Sequence, residues 1–175
     1  MEKALKILNE MKRKKIIGQY AIGGGVAAIR YMESILTYDV DIFFIPSTPD
    51  ALLLDMTPMI TFLRSKGGKA DKECIILEGT PIQLIAVYND LVTEGVKKAL
   101  PVIYGSVKSR ILRKEHVLAL MLQTGRPKDF LRMGQMFQEA PPSKAVWMRL
   151  VEKYDLIKLW NRYREKYGDP YKEGR

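Results

Sequence analysis

The sequence predicts an α/β (α+β) protein: a small mixed β-sheet with flanking helices, followed by a helical C-terminal extension. Short runs rich in β-branched and apolar residues alternate with helical patterns as far as Leu112. After residue 113 no strand pattern follows, and glycine and proline mark the ends and starts of helices. We therefore divide the chain into an α/β domain over residues 1–112 and a helical extension over residues 113–175.

The elements of the first domain each have a local signal. Apolar residues recur at helical spacing over residues 2–15. Proline after Thr48 predicts a helix start, and Gly67-Gly68 predicts the end of that helix near residue 65. A third helix starts at Asn89-Asp90 and runs to about residue 100. The other predicted elements are a helix at 25–36 and strands at 16–22, 38–45, 73–77, 81–87, 102–104 and 107–112.

Three helices are predicted in the C-terminal extension. The first covers residues 115–123 and ends at Gly125, and the second begins at Pro127 and runs toward residue 138. Pro141-Pro142-Ser143 introduces the third, which is predicted to extend to residue 167.

Composition excludes several classes of protein. With 175 residues, 47% hydrophobic and 28% charged, the chain is long enough for one globular domain with a core. Cys74 is the single cysteine and lies in an apolar run, so we expect a buried thiol, no internal disulfide and no Cys/His zinc site. His116 is interpreted as a surface or capping residue, and no nucleophile–base set is visible. Residues 1–15 contain no long apolar run, so we expect no signal peptide or membrane span and a cytoplasmic protein.

Positive charge is concentrated in the C-terminal part. The net charge is +9; residues 1–105 carry 13 Lys+Arg and 12 Asp+Glu, whereas residues 106–175 carry 16 and 8. Basic residues interleaved with aromatic rings predict an RNA-binding surface, because phosphates attract cations and unpaired bases stack on rings. Aromatic residues at helical spacing equally indicate a packed core, and both interpretations stay open. The aromatic residues concerned are Phe130, Phe137, Trp147, Tyr154, Trp160, Tyr163, Tyr167 and Tyr171.

The segment from Tyr20 to Pro46 has the clearest pattern for chemistry. It combines a glycine run, Gly23-Gly24-Gly25, with Asp39 and Asp41 in a β-rich stretch. Side chains two residues apart in a strand share a face, so the two carboxylates are expected to lie together. Such a pair is tolerable when Mg²⁺ (or Mn²⁺) lies between the carboxylates, and the glycines allow close approach of a phosphate. The alternative is ordinary polar alternation on a solvated strand.

A second candidate segment is the loop Thr124 to Asp129. Arg126 and Lys128 lie beside a predicted helix start, which makes them candidate phosphate contacts. In the alternative interpretation Asp129 simply favours the helix start.

The order apolar-Gly-Gly, helix, Asp-apolar-Asp resembles the core motif of the DNA polymerase β-like nucleotidyltransferase superfamily. The stretch AIGGGVAAIRY followed by Thr37-Tyr38-Asp39-Val40-Asp41 is similar to the AbiEii-like abortive-infection toxin nucleotidyltransferases and their small relatives, in which Thr commonly precedes Asp-x-Asp. EGTPIQLIAVYNDLVTEGVKKA and LQTGRPKDFLRM also resemble those relatives, so the resemblance covers residues 17–137.

The resemblance implies roles for particular residues. Gly24 and Gly25, or Gly23 and Gly24, would contact a triphosphate, with Thr37 beside them. Asp39 and Asp41 would be catalytic and hold the metal. Lys128 and Asp129 would occupy the positions of a Lys/Asp pair found in the helical part of the family.

One position departs from the active pattern of the superfamily. A third carboxylate on a later strand is expected to act on the attacking hydroxyl, and the corresponding residue here is Gln83. An amide cannot take up a proton and is a weak metal ligand. Glu78, five residues earlier, and Asp90, at the far end of the strand, are the nearest other acids in the sequence.

The resemblance implies a metal-dependent enzyme that moves a nucleotide from an NTP to a hydroxyl of RNA (tRNA) or of a protein. Gln83 favours an alternative, a degenerate member that binds nucleotide or RNA without transfer. A further alternative is one component of a toxin–antitoxin pair, in which the partner would be a cognate antitoxin.

Overall fold

The fold is a mixed β-sheet with helices packed on it, which confirms the predicted α+β class. A computed structural model describes residues 1–33, 36–48 and 54–172. The elements in chain order are α1 (Glu2–Arg13), β1 (Ile17–Ile22), α2 (Gly24–Ala28), β2 (Val40–Pro46), α3 (Thr57–Ser65), β3 (Lys69–Asp71), β4 (Cys74–Leu77), β5 (Thr80–Ala86), α4 (Asp90–Lys97), β6 (Leu100–Tyr104), β7 (Val107–Ile111), α5 (Lys114–Thr124), α6 (Pro127–Glu139), α7 (Lys144–Lys153) and α8 (Ile157–Tyr167).

The seven strands are ordered β3-β4-β5-β2-β1-β7-β6. β1 is antiparallel to β2, β2 is parallel to β5, and β1 is parallel to β7. The two ends of the sheet are antiparallel: β3, β4 and β5 at one end, β6 and β7 at the other. The register matters for the site, since Asp41 of β2 lies opposite Gln83 of β5.

The first departure from the predicted elements is the helix expected at 25–36. α2 ends at Ala28, where the amides of Arg30 and Tyr31 donate to carbonyls three residues earlier and tighten the last turn. The Tyr31 hydroxyl donates to the carbonyl of Leu112 at 2.9 Å, which holds this turn against the end of β7.

Of the helix predicted at 48–65, the structure confirms the part from Thr57 to Ser65. Its first part falls on residues 49–53, which lie outside the described residues. α3 begins at Thr57, whose amide donates to the Asp55 carboxylate at 2.8 Å. Pro58 therefore lies in the first turn, where its missing N–H costs nothing. β3 was not predicted, because all of its residues are exposed and the edge strand has no apolar pattern.

The single helix predicted over 143–167 is wrong, because the chain turns between α7 and α8. Asp155 adopts a positive φ of 53°, and the amide of Leu156 donates back to Val151. The turn lets Trp147 and Trp160 pack edge to face with ring centroids 5.2 Å apart. Burial of such a pair outweighs the continuation of a helix.

The C-terminal aromatic residues are mainly core, which settles one alternative left open by the sequence. Phe137, Trp147, Trp160 and Tyr163 are buried, so these rings are not available to stack on bases. The interpretation of this region as an aromatic RNA surface is therefore wrong for these four. The predicted boundary at residue 112 falls between β7 and α5, within a continuous core, and the division into domains stays a prediction.

His116 was predicted as a surface or capping residue, but it is buried on α5 where that helix packs against α4. Gly95 makes room for it, since a Cβ there would lie 3.3 Å from the imidazole Cδ2. Burial lowers the pKa of His116, despite Glu94 at 3.5 Å from Nε2. Glu94 itself is partly buried, which raises the pKa of its carboxyl, but hydrogen bonds from Lys153, Tyr154 and Lys98 outweigh this and lower it to about 2. This cluster joins α4 to the C-terminal helices.

Across the portions of the chain for which the structure gives a placement, none of the helices is both long enough and apolar enough to cross a lipid bilayer.

Candidate active site

The candidate site is a cavity of about 300 Å³ between the β2–β5 part of the sheet and the helices α5 and α6. The structure brings most of the sequence-predicted residues together here, although they come from four separate stretches of chain. Those lining the cavity are Gly24, Gly25, Thr37, Asp39, Asp41, Gln83, Arg126 and Lys128, together with Asp129. Gly23 and Glu78 do not line it.

The glycine run is shaped by the side chains that pack against it. Gly24 has a φ of +54°, and a Cβ on it would lie 1.6 Å from Asp41 Oδ2. A Cβ on Gly25 would lie 2.7 Å from Thr37 Oγ1. Only glycine leaves room for both polar side chains at this turn.

Gly23 faces a different direction from the other two glycines. Its amide donates to the carbonyl of Asp41 at 2.8 Å, and a Cβ on it would lie 2.3 Å from the ring of Phe43. Of the three glycines, Gly24 is partly exposed, whereas Gly23 and Gly25 are buried. That they contact a triphosphate stays a prediction.

The carboxylates of Asp39 and Asp41 repel each other within the cavity. Burial, followed by the charge of Asp39, raises the pKa of Asp41 to about 6. The cations Arg126, Lys128 and Arg132 oppose this increase. The carboxylate pair is thus held in a site where a positively charged ligand would be favoured.

Thr37 and Gln83 complete this end of the cavity. Thr37 Oγ1 donates to the carbonyl of Asp39 at 3.3 Å, which fixes the chain just before β2. Gln83 is half-buried beside Asp41, as the strand register requires, and its Nε2 donates to Glu73 Oε2 at 3.2 Å. Sequence reasoning missed Glu73, because only the β4–β5 pairing brings it to Gln83.

Glu78 lies in the turn between β4 and β5 with a φ of +49°. Its carboxylate pairs with Lys3 at 3.1 Å, so it is held away from the cavity.

The other wall of the cavity is the first half of α6. Arg126 forms a two-point ion pair with Asp129, Nε to Oδ2 at 2.7 Å and Nη2 to Oδ1 at 3.2 Å. Asp129 is only 1% exposed, and its hydrogen bond raises the pKa of Arg126. Lys128 and Arg132 lie four residues apart on the same face of the helix and add two more cations.

The rim of the cavity is apolar and was not predicted from the sequence. Leu36, Tyr38 and Tyr88 are 74%, 79% and 60% exposed, and all three line the cavity. Exposed tyrosine rings beside a charged pocket offer surfaces on which a planar ligand can stack. Arg132 was also missed, because the predicted loop ended at Asp129.

The donor set of the cavity suits a hard divalent cation. Two carboxylates are available, and among the residues that the structure describes no three His, Cys, Asp or Glu side chains are grouped closely enough to hold a metal by themselves. Mg²⁺ commonly binds through one or two carboxylates and completes its shell with water and substrate phosphates. The residues present therefore fit Mg²⁺ or Mn²⁺ bound jointly with a phosphate ligand.

Fold and cavity together define a class: an α+β protein with a carboxylate pair beside a glycine turn, facing a cationic helix. No protein-family model matches the sequence, and no curated protein matches it.

Several solved structures share features of the fold. The structure of ANT(2'')-Ia in complex with adenylyl-2''-tobramycin is 13% identical and covers 93% of this chain and 95% of that chain, with a TM-score of 0.47. An antigenic nucleotidyltransferase-like protein from Paracoccidioides brasiliensis is 15% identical and covers 91% of each chain, with a TM-score of 0.48. The solution structure of the antibiotic-resistance factor ANT(2'')-Ia is 11% identical and covers 95% of each chain, with a TM-score of 0.44.

These likenesses are distant and do not assign a family or an activity to this chain. The AbiEii-like resemblance stays a prediction. The functional conclusions below therefore depend on the residues of the cavity.

The raised pKa of Asp41 gives a testable effect on stability. Its carboxyl has a pKa of about 6 in the folded chain and an ordinary value of 3.8. The folded state thus binds the proton more tightly, and the stability gained at low pH is lost as the pH rises through 6. In metal-free buffer, Asp41→Asn should raise the free energy of unfolding by about 2 kcal/mol at pH 8 and by much less at pH 4.

Urea unfolding at the two pH values measures this difference. Asp71→Asn, which removes an exposed carboxylate from the edge strand β3, is the control. If Asp41→Asn changed the free energy of unfolding equally at pH 4 and pH 8, the result would show that the folded chain does not raise the pKa of Asp41.

Proposed function

We propose that this chain transfers a nucleotide from an NTP to a hydroxyl group. The observation that carries the proposal is that Asp39 and Asp41 face the cations of α6 across one cavity, with the glycine turn at its edge. Carboxylates suit a divalent cation, and cations suit the phosphates that such an ion accompanies. One cavity thus offers groups for both parts of a metal–triphosphate complex.

Each wall of the cavity has a role in this proposal. Asp39 and Asp41 would hold Mg²⁺ (or Mn²⁺), which would neutralise phosphate charge and lower the pKa of the attacking hydroxyl. Gly24 and Gly25 would let the phosphates approach the backbone, and Thr37 would support that turn. Lys128 and Arg132 would bind phosphate oxygens.

Arg126 is the cation whose position is best defined. The buried Asp129 holds its guanidinium by two hydrogen bonds, so the side chain needs little ordering when a phosphate binds. α2 is only five residues long, so its dipole is small. The α6 cations therefore carry most of the attraction for phosphate.

The proposed transfer exchanges one P–O bond at the α-phosphorus for another. The acceptor oxygen bonds to the α-phosphorus, the bond from that phosphorus to the bridging oxygen breaks, and pyrophosphate leaves with the electron pair. The acceptor proton needs a base. Gln83 cannot serve; of the three carboxylates that line the cavity, Asp129 is paired with Arg126, which leaves Asp39 or Asp41 to take up the proton.

RNA, tRNA included, is the acceptor that this proposal favours. Tyr38 and Tyr88 are exposed at the rim and suited to stacking with bases, and the chain has a net charge of +9. A protein acceptor and a cognate antitoxin stay predictions of the sequence.

The second candidate function is nucleotide binding without transfer. Gln83 favours it, because the position opposite Asp41 has an amide where a proton acceptor would assist the reaction. The same groups would bind metal and NTP, and no product would form.

A transfer assay separates the two functions. Each labelled NTP is incubated with total tRNA and Mg²⁺ or Mn²⁺, using wild type, Asp39→Asn/Asp41→Asn and the control Asp71→Asn. We expect labelled RNA with wild type and the control, and a loss of at least about 100-fold with the double variant, since metal binding contributes several kcal/mol to catalysis.

Equal labelling by the double variant would refute the proposed role of the carboxylates. An absence of labelling, with NTP binding that requires Mg²⁺ and Asp41, would establish the second candidate function in place of the first.

Replacing Gln83 tests the missing proton acceptor directly. Gln83→Glu adds a carboxylate opposite Asp41, and with Mg²⁺ present we expect the transfer rate to rise by about 10-fold or more, because a positioned general base contributes at least that much. Single-turnover rates across pH 6 to 9 measure the effect. Gln138→Glu, at an exposed position of α6, is the control for the added charge. A slower reaction in Gln83→Glu than in wild type would contradict this account.

A further inference from the structure

Gln83 lies on the wall of the cavity beside one of the two proposed metal ligands. It is opposite Asp41 in the parallel pair of β2 and β5, and side chains at directly opposite positions share a face of the sheet. Both residues line the cavity. A side-chain amide has an oxygen that accepts hydrogen bonds and a nitrogen that donates them. What Gln83 offers to the cavity therefore depends on which way its amide is turned.

Two carboxylates beside an amide favour the donating orientation. Without another acceptor, the amino group of Gln83 would turn toward Asp39 or Asp41 and form a charge-assisted hydrogen bond. That bond would use a carboxylate oxygen that a divalent cation needs, and it would put N–H groups where the cation would lie. The suitability of this wall for a cation therefore depends on what else accepts from the amide.

Glu73 holds the Gln83 amide in the other orientation. Gln83 Nε2 donates to Glu73 Oε2 at 3.2 Å. Because an ionised carboxylate can only accept, this bond determines which end of the amide carries the nitrogen. Within residues 1–33, 36–48 and 54–172, no hydrogen bond joins the Gln83 side chain to Asp39 or Asp41. Oε1 is therefore the atom of the amide that is left for a ligand of the cavity.

The turn between β3 and β4 brings Glu73 to this position. Asp71 pairs with Cys74 at the ends of these strands, and Lys72 and Glu73 form the two-residue connection between them. Lys72 has a φ of +53°, a left-handed conformation that is uncommon for a residue with a Cβ. The antiparallel pairing of β4 with β5 then places this turn beside the strand that carries Gln83. Glu73 thus reaches the amide through strand pairing.

The effect of Glu73 on the amide is separate from its effect as a nearby charge. Burial, and after it the charges of four nearby carboxylates, raises the pKa of the Cys74 thiol, and Asp71 and Glu73 are two of the four. Both acids are exposed and belong to the same hairpin. Of these two, Glu73 is the one that accepts from Gln83. Asp71 therefore serves as a comparison that has the charge but not the contact.

We propose that Glu73 is a positioning residue that presents the amide oxygen of Gln83 to the divalent cation, as a third oxygen donor beside Asp39 and Asp41. The inference rests on the proposed function, because it concerns the same cation. Amide oxygens bind hard cations, and a neutral donor adds a ligand without adding to the repulsion between the two carboxylates. An amide is a weak ligand, so its contribution depends on its being oriented before the cation binds.

A double-mutant cycle on metal-dependent NTP binding tests the proposal. The proteins are wild type, Glu73→Ala, Gln83→Ala and the double variant, with Asp71→Ala as the control for the lost charge. Calorimetry with an NTP that is not cleavable between the α and β phosphates gives the affinity with Mn²⁺ and with EDTA. The ratio of the two affinities is the contribution of the cation, and the Tm of each protein shows that it is folded.

We expect the ratio to fall by about 10-fold in Glu73→Ala, the size of effect typical of residues that orient a metal ligand. Gln83→Ala should lose a similar factor, and the double variant should lose no more than Gln83→Ala, because Glu73 acts through the amide. Asp71→Ala should stay within about twofold of wild type, since an exposed charge contributes little. Glu73→Gln, which keeps an acceptor oxygen without the charge, should lose less than Glu73→Ala.

The possible failures are distinguishable from one another. Equal losses in Glu73→Ala and Asp71→Ala would overturn the inference and assign the effect to charge alone. Additive losses in the double variant would also overturn it, because Glu73 would then act independently of Gln83. Both results leave the proposed function standing. Wild type that binds the NTP equally with Mn²⁺ and with EDTA would contradict the proposed function together with this inference.

Discussion

The contact between Asp41 and Gly24 is the constraint on which the candidate site depends. A carboxylate oxygen occupies the place where any other residue at position 24 would have its Cβ, and the glycine adopts a left-handed φ of +54°. The amide of Gly23 donates to the Asp41 carbonyl at 2.8 Å, and this hydrogen bond holds the glycine turn against β2. The pairing of β1 with β2 thus determines where the carboxylate lies, and the pairing of β2 with β5 determines that Gln83 lies beside it.

Charge balance is the second organising feature. Two neighbouring carboxylates in a half-buried place are unfavourable, and the pKa of Asp41 of about 6 reflects this. The cations of α6 reduce the repulsion without removing it, because the charge of Arg126 is shared with the buried Asp129. Under the proposed function, a divalent cation together with its phosphates would stabilise the site, since both sets of charges would then find partners.

The sequence predicted those parts of the site that depend on local spacing. Asp39 lies just before β2 and not within it, as the strand predicted at 38–45 required, but both carboxylates line the cavity, and strand pairing places Gln83 opposite Asp41. Arg132 and Tyr88 were missed because they reach the cavity only through tertiary packing, and Glu73 was missed because only strand pairing brings it to Gln83. The same limit explains the errors at His116, buried against Gly95, and at Asp155, where burial of two tryptophans favours a turn over a continuous helix.

We propose that Asp39 and Asp41 bind a divalent cation jointly with a nucleoside triphosphate. Isothermal titration calorimetry with an NTP that is not cleavable between the α and β phosphates tests it most directly, with and without Mg²⁺, on wild type and Asp41→Asn. We expect wild type to bind the NTP with Mg²⁺, and the affinity to fall at least about 10-fold without Mg²⁺ and by a similar factor in Asp41→Asn. Equal affinity in all four experiments would contradict this proposal.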